Sequence, residues 1–175
     1  MSDKPTILVV DDDPPIRRAL QRLFAREGYR VIEAPGAQDA LTIAHATPPD
    51  LVISDYAMPD CNGLELLVEM RKRHPQTVRM IMTGKADLQT VIAAINEGHV
   101  YRFVLKPWDN DDLCLSVRLA IEQTKLLSEN RRLVSQLQAQ EDVLRGLAKQ
   151  YPGITTVERD AEGAIVLDDP DDAAA

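Results

Sequence analysis

The feature that most restricts how this chain can fold is an alternation of short apolar runs with amphipathic stretches over its first 120 or so residues. Ile7 to Val10, Val31 to Glu33, Leu51 to Ser54, Met80 to Met82 and Phe103 to Leu105 each read as a buried strand. Between them, Ile16, Leu20, Leu23 and Phe24, then Ala40, Leu41 and Ala44, then Leu64, Leu67 and Met70, then Leu88, Val91, Ile92 and Ile95 place apolar residues three or four apart, as helices do. Gly28, Gly36, Pro48, Pro49, His74, Pro75 and Gly98 fall at the joints. Strand and helix in strict succession predict an α/β architecture, a (βα)5 doubly wound parallel sheet with helices on both faces. Such a sheet gathers its functional groups at the carboxyl ends of its strands.

The pattern changes at Asp109. A single long helix is expected from a cap among Asp109 to Asp112 to about Lys149, with Pro152 and Gly153 as its stop. Leu119, Leu126, Asn130, Leu133, Leu137, Gln140, Leu144 and Leu147 fit alternating a and d positions of a heptad, with Asn130 at an a position. A lone Asn at such a site favours a parallel two-stranded coiled coil, because the two amides bond in one register only. The expected organisation is a globular domain over 1–124, a coiled-coil helix over 125–150, a short β-hairpin over 151–167 and a disordered acidic end over 168–175. The hairpin is too small to stand alone and implies a surface to pack on.

Composition removes several functions. The net charge is −8, and no segment carries the strong basic excess that a phosphate backbone selects, so nucleic-acid binding is not expected. No apolar run approaches the roughly 20 residues of a bilayer span. The start, MSDKPTILVV, has no basic n-region or cleavage site, which points to the cytoplasm. Cys61 and Cys114 are too isolated for a disulfide framework or a zinc site and are expected as reduced thiols. His45, His74 and His99 fall at helix ends or loops without partner spacing and read as surface residues.

The strand ends carry the chemistry. Asp11, Asp12 and Asp13 follow the first strand, Asp55 ends the third, Thr83 and Gly84 follow the fourth, and Lys106 and Pro107 follow the fifth. Carboxylates converging on one point repel unless a divalent cation joins them, and an all-oxygen set of this kind suits magnesium. Thr83 and Lys106 supply a hydroxyl and an ammonium for the remaining oxygens of a phosphoryl group, which needs positioning and charge neutralisation above all. Phosphoryl transfer onto an aspartate follows as the chemistry. Asp13, just before Pro14 and Pro15, reads as a helix cap rather than a ligand. Trp108 reads as packing at the base of the long helix.

With ILVVDDDPPIR, DLVISDYAMPDCNGLELL, MIMTG and YRFVLKPW in this order, the chain resembles the receiver domain of two-component response regulators over roughly residues 5–124. The resemblance implies a flavodoxin-like receiver fold with Asp55 as phosphoacceptor and Asp11 and Asp12 as the acidic pair holding Mg2+. It implies a backbone carbonyl from Ala57 on the metal, Thr83 on the phosphoryl oxygen and Lys106 in an ion pair with it. A sensor histidine kinase would be the donor, and the domain would catalyse only its own phosphorylation and dephosphorylation. Thr83 and Phe103 would form the switch, with Tyr101 two positions before Phe103, reshaping the face made by the fourth helix, the fifth strand and the long helix. Phe103 lacks the hydroxyl of the commoner Tyr at that position. The stretch AINEGHVYRFVLKPW is similar to receivers joined to hydrogenase-type transcription regulators or to HD-GYP phosphodiesterases.

No helix-turn-helix pattern, nucleotide loop or metal motif follows the helix, so output through homodimerisation and contact with a downstream protein is expected. Two other readings compete. Asp11 and Asp13 match the D-x-D spacing of a haloacid-dehalogenase-like phosphatase, with Asp11 as nucleophile. Arg131 and Arg132 on the helix would have to carry any DNA contact of a transcription regulator.

Overall fold

In the computed structural model, the described residues are 4–59, 61–84, 87, 92, 95 and 99–150. Five strands are present: β1 (Thr6–Val10), β2 (Arg30–Ala34), β3 (Leu51–Asp55), β4 (Val78–Thr83) and β5 (Arg102–Leu105). They pair in parallel in the order β2-β1-β3-β4-β5. Each contains the apolar run expected for it and extends it by one to three residues. Helices α1 (Pro14–Arg26), α2 (Ala37–Ala46) and α3 (Gly63–Arg73) connect the first four strands, and a long helix (Asn110–Gln150) follows β5. Ile92 and Ile95 of the fourth amphipathic pattern are helical. Leu88 and Val91 of that pattern, the hairpin over 151–167 and the acidic end lie outside the described residues.

β1 and β3 are buried along their whole lengths, which explains their unbroken apolar runs: a central parallel strand faces core on both sides. Alternation along the strands then sorts side chains between two cores. Ile7, Val9, Leu51, Ile53, Met80 and Met82 pack with Leu20 and Phe24 of α1 and with Leu113, Val117, Ala120 and Ile121 of the long helix. Leu8, Val10, Val52 and Ile81 pack with Ala40 and Ala44 of α2 and Leu66, Leu67 and Met70 of α3. Trp108 packs at the edge of the first core, as expected.

Local sequence sets the helix ends. Gly28 takes φ 90°, open to glycine without steric penalty. Its N–H donates to the Ala25 carbonyl while that of Tyr29 donates to the Phe24 carbonyl, closing α1 with a Schellman motif. Asp109 caps the long helix, its Oδ1 accepting from the N–H groups of Asp111 (2.9 Å) and Asp112 (3.0 Å). Asp13 stands at the N-cap position of α1, as expected. Its side chain makes no cap bond, and Pro15 lacks one of the two N–H groups that an N-cap side chain can accept from. At α3, Asn62 Oδ1 accepts from the Leu64 N–H at 2.8 Å.

The chain divides into two compact units after Ser128. In the first, the long helix turns Leu113, Val117, Ala120 and Ile121 into the core. In the second, Asn130, Leu133, Leu137 and Leu144 are exposed.

Gly63 starts α3 where a Cβ would overlap the backbone carbonyl oxygen of Asp55. Gly63→Ala must therefore push α3 off the end of β3. We expect a loss of about 2–4 kcal/mol in urea unfolding, near the upper end of overpacking penalties, whereas Gly36→Ala, with open space around the added methyl, should stay within about 1 kcal/mol.

Candidate functional site

The strand order reverses direction between β1 and β3, so a crevice opens at their carboxyl ends. Asp11, one residue past β1, and Asp55, the last residue of β3, reach that crevice from adjacent strands. With Asp12 they form a cluster whose ligand oxygens lie within 4.8 Å of one another. Asp11 and Asp55 are buried and Asp12 is exposed, so the cluster has a floor and an open mouth. Asp13 is not part of it among the described residues.

Lys106, just past β5, joins the cluster from across the sheet. Its Nζ lies 2.8 Å from Asp55 Oδ1 and 3.1 Å from Asp11 Oδ2. Burial disfavours the ammonium, but the hydrogen bonds to Asp55 and Asp11 and their charge outweigh it and raise its pKa. Burial raises the pKa of Asp11, against the hydrogen bond from the Asp13 N–H (2.8 Å) and the bond to Lys106, with the Asp55 charge raising it further. The Lys106–Pro107 peptide is cis. The Lys106 N–H donates to the Thr83 carbonyl at 2.9 Å, tying the β5 end to the β4 end.

The remaining sequence candidates lie around this centre. Thr83 is buried at the end of β4, and its hydroxyl donates to the Gly84 carbonyl at 3.1 Å rather than to Asp55. Ala57 is exposed, two residues beyond Asp55. Phe103 lies opposite Ile81 in the β4–β5 register, half-buried against the core on the α2 and α3 side. Tyr101 is exposed, and its hydroxyl donates to Gln123 Oε1 on the long helix at 2.9 Å.

Sequence reasoning missed Arg17. Its guanidinium donates to the Asp11 carbonyl at 2.6 Å and lies 3.6 Å from Glu33 Oε2, bracing the Asp11 turn against β2. Only the docking of α1 beside β2 makes that contact, so six residues of spacing carry no signal for it. Ser54 was likewise missed; its buried hydroxyl donates to the Asp55 carbonyl at 2.9 Å. His99, read as a surface residue, is half-buried: its Nδ1 lies 3.1 Å from an Arg71 guanidinium nitrogen and its carbonyl accepts from Arg79 Nε at 2.9 Å. His45 is exposed, as expected, and His74 is half-buried.

Fold and site together define a doubly wound α/β domain with an acidic, lysine-braced cluster at its switch point. The response regulator receiver domain family matches residues 7–118, and the chain belongs to that family. It is 37% identical over 151 residues to the hydrogenase transcriptional regulatory protein HoxA of Cupriavidus necator, an alignment covering 86% of this chain and 31% of that protein. Among solved structures, the signal receiver domain of an HD domain-containing protein from Pseudomonas fluorescens Pf-5 superposes with a TM-score of 0.69 at 36% identity, covering 74% of this chain and 95% of that one. A structure described as adenylate cyclase from Rhodopirellula baltica superposes with a TM-score of 0.72 at 30% identity, covering 76% and 98%. The chain spans less than a third of the curated relatives it matches.

Receiver domains are signalling modules that histidine kinases phosphorylate and that bind Mg2+ through acidic residues. Membership displaces the phosphatase reading, whose second carboxylate, Asp13, is in any case outside the cluster. No helix among the described residues is long and apolar enough to cross a membrane. An all-carboxylate oxygen set with one open, exposed member fits Mg2+, which keeps several waters and takes few protein ligands.

Asp12→Ala should weaken Mg2+ binding in calorimetric titration by at least about tenfold, the lower end of what outer-shell losses already cause, while Asp13→Ala leaves it unchanged. The cysteines offer a second check. Cys61 and Cys114 are free thiols with pKa values raised by burial, helped at Cys61 by the hydrogen bond to Glu65 and at Cys114 by the charge of Glu27. A raised thiol pKa means less thiolate at neutral pH, so alkylation by iodoacetamide should be slower at pH 7 than that of a free thiol and climb as pH rises through 9.

Proposed function

We propose that this chain is the phosphate-accepting part of a two-component response regulator in which Asp55 takes a phosphoryl group from a sensor histidine kinase. The observation that carries this reading is Lys106, hydrogen-bonded at once to Asp55 and Asp11 beside a three-carboxylate cluster. Asp11, Asp12, Asp55 and the Ala57 backbone carbonyl would hold Mg2+, which when bound supplies positive charge to the phosphoryl oxygens. A carboxylate oxygen of Asp55 attacks phosphorus in line, the bond from phosphorus to the kinase imidazole breaks, and the imidazole leaves with the electron pair. Lys106 steadies the Asp55 carboxylate for attack and then pairs with the new phosphoryl oxygens. Thr83 gives up its bond to the Gly84 carbonyl and donates to the phosphoryl group. Phe103 follows into the space behind it, a two-state element biased by a local gain of charge.

Output is read as protein contact. Leu119, Leu126, Leu133, Leu137 and Leu144 are exposed along the long helix with Asn130 in their row, which supports a parallel coiled-coil homodimer that presents a surface to a downstream protein. The hydrogenase-regulator relative and the HD-linked receiver support placing this chain near those subtypes.

The test is incubation with acetyl phosphate and Mg2+ followed by intact mass measurement. Wild type should gain one phosphoryl group that hydroxylamine removes, and Asp55→Asn and EDTA-treated protein should gain none. Thr83→Ala should accept the group yet lose the change in solution scattering that phosphorylation causes in wild type. Full incorporation into Asp55→Asn would overturn the assignment.

A further inference from the structure

Gln123 is where the receiver domain and the helical seam meet. Counting back from Asn130 by sevens places Gln123 at an a position, and Leu126 and Leu119 fall at d positions. At about 100° per residue, Leu119 and Leu126 lie roughly opposite the face that carries Leu113, Val117, Ala120 and Ile121 into the core, and Gln123 lies at its flank, about 100° from the centre of that face. Exposure agrees with that division. Leu119 is 50% and Leu126 68% exposed, whereas Val117 is fully buried. One helix therefore has one face in its own core and leaves another exposed.

The row has a definite start. The a position before Gln123 is Ser116, which is buried and whose hydroxyl donates to the Asp112 carbonyl at 2.7 Å. Gln123 is consequently the first a position that a second copy can reach, and it is already engaged. Its Oε1 accepts from Tyr101, whose backbone N–H is held by the Arg79 carbonyl at 2.7 Å immediately before β5. The other end of β5 leads directly to Lys106 on the acidic cluster. A four-residue strand thus connects the charge site to the side chain that holds the first polar residue of the seam.

We propose that the contact between two copies of this chain begins at Gln123, and that Tyr101 governs whether it does. While Tyr101 holds Gln123, the amide belongs to its own domain and the coiled coil starts at Leu126. Released, Gln123 turns into the seam opposite the Gln123 of the second copy, the paired amides satisfy each other as paired Asn130 amides do, and the interface gains Leu119. The occupant is a second copy because the same heptad register runs unbroken from Leu119 through Leu147, with polar a positions that only an identical partner matches in register. Tyr101 is a positioning residue in this scheme, and the inference rests on the homodimer reading above.

The experiment is sedimentation equilibrium of the full chain over a concentration series, for wild type, Tyr101→Phe, Gln123→Leu, the double variant and Leu133→Asp. Tyr101→Phe removes only the hydroxyl and frees Gln123. Because two such bonds open per dimer, the dimer should tighten by roughly fivefold or more. Gln123→Leu should tighten it as well, and adding Tyr101→Phe to it should change nothing further, since the group that Tyr101 held is gone. Phosphoryl incorporation into Tyr101→Phe should match wild type, showing that the acidic cluster is intact. An unchanged or weaker dimer in Tyr101→Phe, with Leu133→Asp monomeric, overturns the latch and leaves the homodimer standing. Monomers in every variant at every concentration overturn the homodimer itself and the latch with it.

Discussion

Three carboxylates whose oxygens lie within 4.8 Å of one another repel, and two of them are buried. Lys106, bonded to both buried members, is the charge that lets the folded chain hold them together. Much of the surrounding construction serves that convergence. β1 delivers Asp11, β3 delivers Asp55, and β5, at the edge beside β4, delivers the ammonium of Lys106, each held at its depth by parallel pairing. Around them, Arg17 braces the Asp11 turn and the Ser54 hydroxyl occupies the Asp55 carbonyl. Burying one ion pair is seldom a source of stability. Here the buried charges set one ammonium against two carboxylates, so the charge of Asp55 acts directly on Lys106.

The two cores give this arrangement its asymmetry. On the α1 face, the long helix contributes Leu113, Val117, Ala120 and Ile121, so its first turns are part of the fold. On the other face, Phe103 packs beside Ile81 and near α3, within the region that the end of β5 can influence. β5 is short and at the sheet edge, bonded on one side only to β4. An edge strand with fewer neighbours shifts at lower energetic cost than β1 or β3, which are locked on both sides. Lys106 at one end of this edge strand and Tyr101 just before the other are thus joined by four residues.

Much of this was legible in the residues. The five apolar runs, the joints and the strand-end placement of Asp11, Asp55, Thr83 and Lys106 follow from local patterns, because a parallel sheet imposes one geometry on every strand end. The Asp109 cap was legible because an Asp just ahead of a helical pattern can accept from its first free N–H groups. Asp13 stands at the N-cap position read for it, and what the sequence reading did not weigh is that Pro15 removes one of the N–H groups its side chain could have accepted from. Arg17 on Asp11, Arg71 beside His99, Gly63 against Asp55 and Tyr101 on Gln123 all join segments distant in sequence or packed across a turn, and no spacing rule announces them.

The amino-acid sequence by itself determined the strands, the helical patterns between them, their order and the chemistry available at the strand ends. Periodicity and backbone sterics act over a few residues and need no knowledge of the rest. Tertiary structure alone decided which charges touch, which face of the long helix is spent on the core, and that Thr83 is turned to Gly84 while Tyr101 reaches the helix. Those outcomes depend on how the helices dock on the twisted sheet, and docking is settled by the summed packing of both cores rather than by any local run of residues.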